Sequence, residues 1–558
     1  MRAAIESTTA SWETSLTDRN PLLAGNAGTL APLLRRRDAP GDREKAIAVG
    51  VDALRGSGWQ VLLQNDPENA VEVARGASRA AERFVGWCVE DGAVDDLVRL
   101  LDARRGLVLR SACTSRTASR VLRDHGHEDL AREWEAVLAQ REVDGEVGEV
   151  RRKVLAVLDD VDGGLTSPAT VAEIQDSLLR HGSDALVYLV PRSHYHEGMA
   201  VVVPATGAAR VSALPLLDVG EGSVLHRYAA AYNAWNAAPT SDGPEHEQWS
   251  AALAEACAWA WLAAGEELSG IGEGDPRVVL VPIGLLGLMP WHAAVRAVDG
   301  CDRYLVQDVE LSTAPSARMF CDLVGRPDVV GGAAVLVGNP ARNLIAGATE
   351  AAAIRDAHYP DAVLLGSTST RARKVLFPAG AGTPAQVLDL LDRPVSLLHL
   401  ACHAEADMRR PLDSAVELAG DRGSLSARTL LEARPTRSAD LDVVVLAACA
   451  TTATGADYDE ALSLSTTFLA IGARTVVGSL WRVPAGRSTV HVMALFHHYL
   501  RAERLSPATA LRRAQLWMLD PDRRFPESVP EHVRTLRQGD GVDAATVGSW
   551  AAFVLLGR

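Results

Sequence analysis

The sequence of 558 residues predicts an α/β protein with a mostly parallel sheet flanked by helices, preceded by an α-helical, repeat-like region. Two patterns predict this order. From about residue 277 onwards, short apolar runs alternate with helical segments, as parallel strands alternate with their crossover helices. Between about residues 40 and 160 the pattern is helical throughout, with short breaks. A chain of this length also needs more than one ordinary core.

The first part divides into a poorly defined segment, residues 1–40, and a helical region, residues 41–164. Ile47, Val51 and Leu54 share one helical face, and Asp91-Gly92 and Gly126 separate successive helices. Antiparallel helices of this length suggest a degenerate tetratricopeptide-like (TPR-like) array. Because no clean 34-residue period is present, an irregular helical domain remains an equal alternative.

The remainder, residues 165–558, is expected to form one α/β domain with two halves, 165–330 and 331–558. The first half begins with a helix and with apolar runs at 185–191, 199–204 and 210–214, of which the first two are strand-like. A long helical stretch follows at about 222–269. Later strands are expected at 277–281, 333–337, 362–365, 397–401, 443–446 and 475–480. Helices are expected at 349–357, 385–391, 427–433, 460–471 and 488–500.

Net charge and the distribution of apolar residues argue against two classes of partner, nucleic acids and membranes. A net charge of −15 argues against a nucleic-acid partner. The most apolar long stretch, 278–295, is broken by Pro282, Pro290 and His292, so neither a membrane span nor a membrane partner is expected. The amino terminus lacks the apolar core of a signal peptide.

Cysteine usage and glycine motifs bear on location and cofactors. Seven cysteines are an odd number, are widely scattered and include no CxxC pair. Disulfides and a metal site are therefore not expected, and the pattern is typical of a reducing cytoplasm. No strand is followed by a GxGxxG or P-loop motif, so we expect no cofactor.

Two apolar runs end at reactive side chains. Val395-Ser-Leu-Leu-His-Leu-Ala-Cys-His403 ends in histidine, and Leu441-Asp-Val-Val-Val-Leu-Ala-Ala-Cys449 ends in cysteine. Both would leave the carboxyl edge of a parallel sheet, where ligands bind. Because a free thiol is mostly protonated at neutral pH, it needs an adjacent base, and His403 could supply it. The backbone amides at Ala404 and Cys449 could form an oxyanion hole. The sequence predicts a His403–Cys449 dyad.

The same residues and their flanks resemble the CHAT family. The resemblance rests on the two runs above and on Phe468-Leu-Ala-Ile-Gly-Ala-Arg-Thr-Val-Val-Gly-Ser-Leu-Trp-Arg-Val483. It extends to Leu280-Val-Pro-Ile-Gly-Leu-Leu-Gly-Leu-Met-Pro-Trp-His-Ala-Ala294, Val337-Gly-Asn-Pro340 with Glu350, Ala510-Leu-Arg-Arg-Ala-Gln515 and Trp550-Ala-Ala-Phe-Val-Leu-Leu-Gly557. It covers about residues 165–558 and implies a caspase-like, separase-related peptidase domain, often carried behind TPR repeats. On the family pattern, His403 is the general base and Cys449 the nucleophile.

Two positions depart from the family pattern. The family usually has glycine after the catalytic histidine, where this chain has Ala404, and often a polar residue after the cysteine, where it has Ala450. A methyl group at 404 is tolerable if the backbone keeps a negative φ. Of the neighbouring candidates, Cys402 is expected to face away from His403, and His399 to be a core histidine.

Four further residues were considered for substrate binding. Ser479 and Trp481 lie at a strand end that could pair with an extended substrate, although Trp481 is equally expected as a core anchor. Asp457 and Asp459 follow the nucleophile. They could form an acidic pocket for Arg or Lys, or could favour a helix N-terminus.

The leading functional hypothesis is an intracellular cysteine endopeptidase acting on a protein substrate. The N-terminal helices would bind a regulatory protein or hold the site closed. The family resemblance implies a role in bacterial defence or cell death, with a pore-forming protein as an expected substrate. A catalytically silent scaffold that binds proteins is the alternative. An acyltransferase or esterase is disfavoured, because nothing resembles a lipid or acyl-carrier pocket.

Overall fold

The structure is a computed structural model. It describes residues 1–17, 22–64, 67–139, 145–161, 167–237, 243–272, 274–329, 331–368, 375–407, 410–421, 423–433, 441–452, 462–483, 486–536 and 545–558.

The described helices, in chain order, are α1 (Arg2–Thr17), α2 (Leu23–Arg37), α3 (Asp42–Leu63), α4 (Pro67–Asp91), α5 (Val94–Ala103), α6 (Leu107–Asp124), α7 (Glu128–Ala139), α8 (Gly145–Val161), α9 (Val171–His181), α10 (Val224–Ala237), α11 (Pro244–Ala260), α12 (Glu266–Ser269), α13 (Ala317–Gly325), α14 (Ile345–His358), α15 (Pro384–Leu391), α16 (Ala427–Glu432), α17 (Leu464–Ala470), α18 (Arg487–Arg501), α19 (Pro507–Leu519), α20 (Glu531–Arg534) and α21 (Val547–Trp550). The strands are β1 (Ala185–Val190), β2 (Met199–Pro204), β3 (Arg210–Ala213), β4 (Arg277–Pro282), β5 (Val295–Val298), β6 (Cys301–Tyr304), β7 (Glu310–Thr313), β8 (Ala333–Gly338), β9 (Val363–Gly366), β10 (Val395–Ala401), β11 (Ala404–Glu405), β12 (Ala415–Glu417), β13 (Ser424–Ser426), β14 (Leu441–Leu446), β15 (Ala473–Ser479) and β16 (Phe553–Gly557).

A single sheet runs through the α/β part of the molecule. Eleven described strands take the order β3-β2-β1-β4-β7-β16-β15-β14-β10-β8-β9. Pairing is parallel except at β3–β2, β2–β1 and β16–β15. The strands before β8 form one side and those from β8 onwards the other, with the C-terminal β16 joining the two sides through β7 and β15. The predicted fold class, a mostly parallel sheet flanked by helices, is confirmed.

The strands expected from the sequence are present, with shifts of one or two residues at their ends. The runs at 277–281, 397–401 and 475–480, for example, are β4, β10 and β15. The helix expected at 460–471 begins at Leu464, after a capping box formed by Ser463 and Thr466, and its first expected residues lie outside the described residues. The domain boundary near residue 165 also lies outside them.

The segment 1–40 contains the two helices α1 and α2. Leu23, Ala27, Leu30 and Leu34 repeat at spacings of four and three and are all buried, so α2 has an ordinary apolar stripe. Pro32 within the helix obscures this pattern in the sequence. Helices α1 to α4 pack consecutively on one another, but their lengths of 16, 15, 22 and 25 residues follow no constant repeat. The region is therefore a TPR-like, irregular helical array.

Each face of the sheet has its own apolar core. On one face, Leu400 and Val444 of the strands belong to the same cluster as Leu34 and Leu101 of the helical array. The opposite face is covered by α10, α11, α14, α18 and α19. The helical array therefore shares a continuous core with the sheet.

Polar contacts reinforce this packing. The carboxylate of Asp102, which is completely buried in α5, accepts hydrogen bonds from Ala169 N (2.7 Å) and Arg318 N (3.0 Å). Arg105 Nε donates to Pro315 O at 2.5 Å. A carboxylate that accepts two backbone bonds in the interior ties the array to the first turn of α13 and to the segment before α9.

A search of the described helices for a stretch long and apolar enough to cross a membrane finds none.

Candidate active site

His403 and Cys449 follow the ends of two paired strands. Strands β10 and β14 are parallel neighbours, and their register pairs Leu400 with Leu446, residues 46 positions apart. The same 46 positions separate His403 from Cys449. The two residues therefore lie at equivalent points beyond the ends of adjacent strands, which are typically about 4.8 Å apart.

The alternation of side chains places both residues on one face. Leu397 and Ala401 of the first run, and Val445 and Ala447 of the second, belong to the core on the face covered by α10 and α18. Odd-numbered positions continue this face if the period of two is kept beyond the strand ends. Cys402 lies in the core on the opposite face.

His403 is held through its backbone. Its carbonyl oxygen accepts a hydrogen bond from Glu417 N at 2.8 Å, and its half-buried imidazole makes no hydrogen bond to another described residue. The next residue, Ala404, begins β11, an edge strand paired antiparallel with β12. Its φ is not positive, so the methyl group introduces no left-handed strain.

Ala404 also presents a free backbone donor. The Glu417–His403 bond makes Ala404 and Val416 a non-hydrogen-bonded pair, so the Ala404 N–H points away from β12. The Cys449 N–H likewise donates to none of the other described residues. These are the two amides expected from the sequence to form an oxyanion hole, which stays a prediction.

Cys449 is a half-buried thiol. Its Sγ lies 3.9 Å from Val483 O, to which the thiol donates a weak hydrogen bond, and no hydrogen bond joins it to His403. Burial raises the pKa of Cys449, and the nearby Arg482 guanidinium opposes that effect. Burial therefore favours the thiol form of Cys449, and the thiolate–imidazolium pair stays a prediction.

A set of buried hydroxyl groups holds the segment around the nucleophile. Ser479 Oγ donates to Ala448 O at 2.5 Å, Ser479 N donates to Thr451 Oγ1 at 2.9 Å, and Thr452 N donates to Ser479 O at 2.9 Å. On the other side, Ser465 N of α17 donates to Thr451 O at 2.9 Å. The segment 448–452, called here the nucleophile loop, is therefore fastened between β15 and α17.

The loop contains one residue in a left-handed conformation. Ala450 has a φ of 53°, and its N–H donates to Trp481 O at 3.0 Å. Such a conformation is uncommon outside glycine, asparagine and aspartate, and it is retained where surrounding contacts enforce it.

Of the four residues predicted as candidates for substrate binding, the structure describes two, Ser479 and Trp481. Ser479 and Trp481 are completely buried, and Trp481 Nε1 donates to Gly548 O at 3.0 Å. Both side chains are therefore engaged in the interior, which agrees with the core-anchor interpretation of Trp481. Asp457 and Asp459 lie outside the described residues, so the acidic pocket stays a prediction.

His399 is a core histidine with buried polar partners. It is completely buried, with Nε2 2.9 Å from Glu350 Oε1 and Nδ1 3.1 Å from His497 Nε2. His497 Nδ1 in turn lies 3.1 Å from the Tyr359 hydroxyl. Burial raises the pKa of Glu350, and its hydrogen bond to His399 opposes the shift. The chain of partners satisfies polar groups between β10, α14 and α18.

Two residues near Cys449 were not singled out from the sequence. Arg482 lies within one of the motifs that resemble the family, but its charge was not considered. Tyr232 of α10 is 217 positions from Cys449 along the chain, and no local pattern could have indicated its proximity. Both act electrostatically on the site and are considered further below.

Comparisons with known proteins identify the family. The CHAT domain profile matches residues 251–558, which is more than half of the chain, so the chain belongs to the CHAT family, a family of caspase-like peptidases. A chain from the separase–securin complex of Saccharomyces cerevisiae is similar in structure, with 9% sequence identity and a TM-score of 0.46. That similarity covers 91% of this chain and 40% of the other, so this chain spans less than half the length of that relative. A comparison with curated proteins found no match.

Proposed function

We propose that this CHAT protein is a cysteine endopeptidase that uses Cys449 as nucleophile and His403 as general base. The observation that carries the proposal is the register of β10 and β14, which puts the two residues at equivalent positions past neighbouring strand ends. Thiol and imidazole at one sheet edge are the minimum groups for covalent hydrolysis of a peptide bond.

In the proposed reaction, His403 takes the proton of Cys449, and the sulfur attacks the carbonyl carbon of the scissile peptide. The carbonyl oxygen becomes an oxyanion, which the Cys449 and Ala404 N–H groups would bind. The imidazolium then protonates the leaving amine, and the C–N bond breaks to leave a thioester. Water, deprotonated by His403, hydrolyses the thioester and restores the thiol.

A silent scaffold is the second candidate, because two features of Cys449 favour it. Burial raises the pKa of Cys449, and its thiol bonds weakly to Val483 O instead of to His403. An active enzyme must reverse both features when substrate binds. A protein-binding scaffold would have no such requirement.

Cleavage-site preference would follow from charge. An acidic pocket containing Asp457 and Asp459 would favour Arg or Lys before the cleaved bond. Arg482, the cation that acts on the Cys449 thiol, would favour an acidic residue instead. A peptide library separates the two, because an apolar or acidic preference would end the acidic-pocket hypothesis.

The helical array would regulate the site. Helix α6 packs on α17, and α17 holds the nucleophile loop through Ser465 N. A regulatory protein bound to the array could therefore change the position of Cys449. We propose that the protein acts in the cytoplasm, as its cysteine usage predicts. As the family resemblance implies, we further propose a role in bacterial defence or cell death, with a pore-forming protein as the substrate to test first.

The peptidase proposal is tested with the full chain and a peptide library. We expect Cys449→Ala and His403→Ala to abolish cleavage. Cys301→Ala, which removes an exposed thiol, should leave cleavage unchanged. A peptide electrophile followed by peptide mapping should modify Cys449. Cleavage that survives Cys449→Ala would refute the dyad, and a Cys449 that reacts without any peptide cleavage would favour the scaffold or an esterase.

A further inference from the structure

We propose that the hydroxyl group of Tyr232 is a further part of the Cys449 site, where it donates a hydrogen bond to the thiolate beside the Arg482 guanidinium. This inference rests on the proposed function for the role of Cys449 as nucleophile. In this proposal, Tyr232 from the first half of the α/β domain acts on the sulfur of Cys449 in the second half.

Ring packing fixes the position of Tyr232. Its ring lies 6.3 Å from that of Trp235, which stacks on Trp249 at 4.3 Å. Trp249 in turn lies 5.7 Å from Trp481, whose carbonyl oxygen accepts the Ala450 N–H. A continuous series of aromatic contacts thus connects α10 to the residue that follows Cys449.

Tyr232 also belongs to the core that surrounds the nucleophile. Ala447 and Ala450, two residues before Cys449 and one after it, are in the same apolar cluster as Tyr232. Tyr232 is 3% exposed, so its hydroxyl is inside the molecule, in the core that contains these two neighbours of Cys449.

The hydroxyl of Tyr232 is unsatisfied. It is buried and has no hydrogen-bond partner among the described residues. A buried polar group without a partner costs about 1–3 kcal/mol, and phenylalanine would fill the same space without that cost. An orphaned donor in a native interior therefore calls for an explanation.

Electrostatics connects this hydroxyl to the thiol and the cation. Burial raises the pKa of Tyr232, Cys449 raises it further, and Arg482 lowers it. Arg482 is half-buried and pairs with no other described residue, and it acts on the pKa of both Cys449 and Tyr232. Tyr232 therefore responds to the charge of both Cys449 and Arg482, and Cys449 responds to that of Arg482.

Ionisation of Cys449 creates the acceptor that Tyr232 lacks. As a thiol, the sulfur donates to Val483 O; as a thiolate, it has no proton to donate and is repelled by that carbonyl oxygen. The O–H of Tyr232 then has an anionic acceptor, and the guanidinium has a counter-charge. The proton goes to His403, and Tyr232 keeps its own. The site therefore stabilises the thiolate, whereas in the resting state the thiol donates to Val483 O and the Tyr232 hydroxyl has no acceptor among the described residues.

Burial raises the pKa of Cys449, while Arg482 and the hydrogen bond to Val483 O, both after β15, lower it. Cys449 in turn raises the pKa of Tyr232 of α10 and of the buried Cys402 after β10. Removing one hydroxyl changes one of these influences and leaves the others in place.

The test measures the rate at which iodoacetamide alkylates Cys449 as a function of pH, using the full chain and peptide mapping to separate this cysteine from the others. We expect Tyr232→Phe to raise the pH midpoint by about one unit and to slow alkylation at pH 7 about tenfold. The thermal unfolding midpoint should stay level or rise, since the orphaned hydroxyl is gone. A role limited to packing would leave the midpoint of the pH profile unchanged.

Tyr188→Phe is the matched control. Its hydroxyl, in β1, is also buried and unpartnered, but Asp102 and Cys321, not Cys449, influence its pKa. This variant should unfold at the same or a higher temperature with an unaltered alkylation profile. A second pair tests the cation: Arg482→Gln should raise the pH midpoint, whereas Arg482→Lys should retain most of the wild-type profile.

Unchanged alkylation in Tyr232→Phe, or equal shifts in Tyr232→Phe and Tyr188→Phe, would overturn the inference and leave the peptidase proposal standing. A shifted profile in a protein that cleaves no peptide would support the inference and refute the peptidase. The alkylation profile therefore tests the role of Tyr232, and peptide cleavage separately tests the peptidase proposal.

Discussion

Two alanines beside the candidate catalytic pair differ in backbone conformation. Ala404, where the family usually has glycine, lies in extended β11 without a positive φ. Ala450, directly after the nucleophile, has a φ of 53°. The condition for alanine at 404 is therefore met, and the left-handed residue is the one directly after Cys449. The loop is held there because the Ala450 N–H donates to Trp481 O, Ser479 Oγ donates to Ala448 O, and Thr452 N donates to Ser479 O.

Ala450→Gly is therefore expected to stabilise the protein. A left-handed conformation costs alanine about 1–2 kcal/mol, and glycine would remove that cost. Part of the gain in stability would be lost, because glycine also stabilises the unfolded chain by about 0.4–1 kcal/mol through its greater conformational entropy. We expect a net increase of about 0.5–1 kcal/mol in the free energy of unfolding, measured by denaturant titration.

Ala404→Gly is the control for this change, because the substitution is the same but the backbone is extended. It should destabilise slightly or have no effect. Equal stabilisation by both substitutions would show that the conformation of Ala450 is not the cause.

At the level of elements, the close approach of β15 to the nucleophile loop depends on Gly478. A Cβ atom at this position would lie 2.6 Å from Thr452 Oγ1 and 2.9 Å from Thr451 Oγ1, and closer still to Ser465 Oγ. Strand, loop and α17 therefore meet where only glycine fits without displacement.

Gly478→Ala should move the nucleophile loop. Overpacking of this kind costs about 1–3 kcal/mol, and we expect lower stability together with slower alkylation of Cys449. Both are measured on the purified full chain. The control is Gly76→Ala in α4, where an added Cβ meets nothing within 4 Å; this variant should be neutral or slightly more stable. Unchanged alkylation in Gly478→Ala would mean that the loop does not depend on this contact.

The sequence predicted the elements that have strong local patterns. Strands β10 and β14 are short runs of branched apolar residues bounded by polar ones, so their ends, and with them His403 and Cys449, could be located. The pairing of β16 with β7 and β15 could not be predicted from the sequence, because strand order depends on contacts between distant segments. The proximity of Tyr232 to the site could not be predicted for the same reason. Helix α2 was not predicted because Pro32, which disfavours a helix interior, lies within its apolar stripe.

For the whole molecule, the shared core decides how the helical array can regulate the site. Leu30 and Leu109 of the array lie in the same cluster as Val335, Leu400 and Phe468 of the α/β part. Asp102 and Arg105 add buried polar bonds across the boundary. An array attached in this way cannot leave without exposing part of the shared apolar core, so regulation would act through packed contacts such as α6 on α17, where Cys113 Sγ lies 3.6 Å from Ala470 O.

A fragment that starts at residue 165 tests this directly. Because the fragment would expose apolar surface that the full chain buries against the helical array, such as that of α17 beneath α6, we expect it to bind a hydrophobic dye and to self-associate, whereas the full chain does neither. Gel filtration with light scattering measures the association. Asp102→Ala in the full chain, which leaves two backbone donors unpaired, should show a milder form of the same behaviour, with faster limited proteolysis of the array. A monomeric fragment with a cooperative unfolding transition and reactive Cys449 would instead show that the array is a detachable arm, and regulation by release would replace regulation through α17.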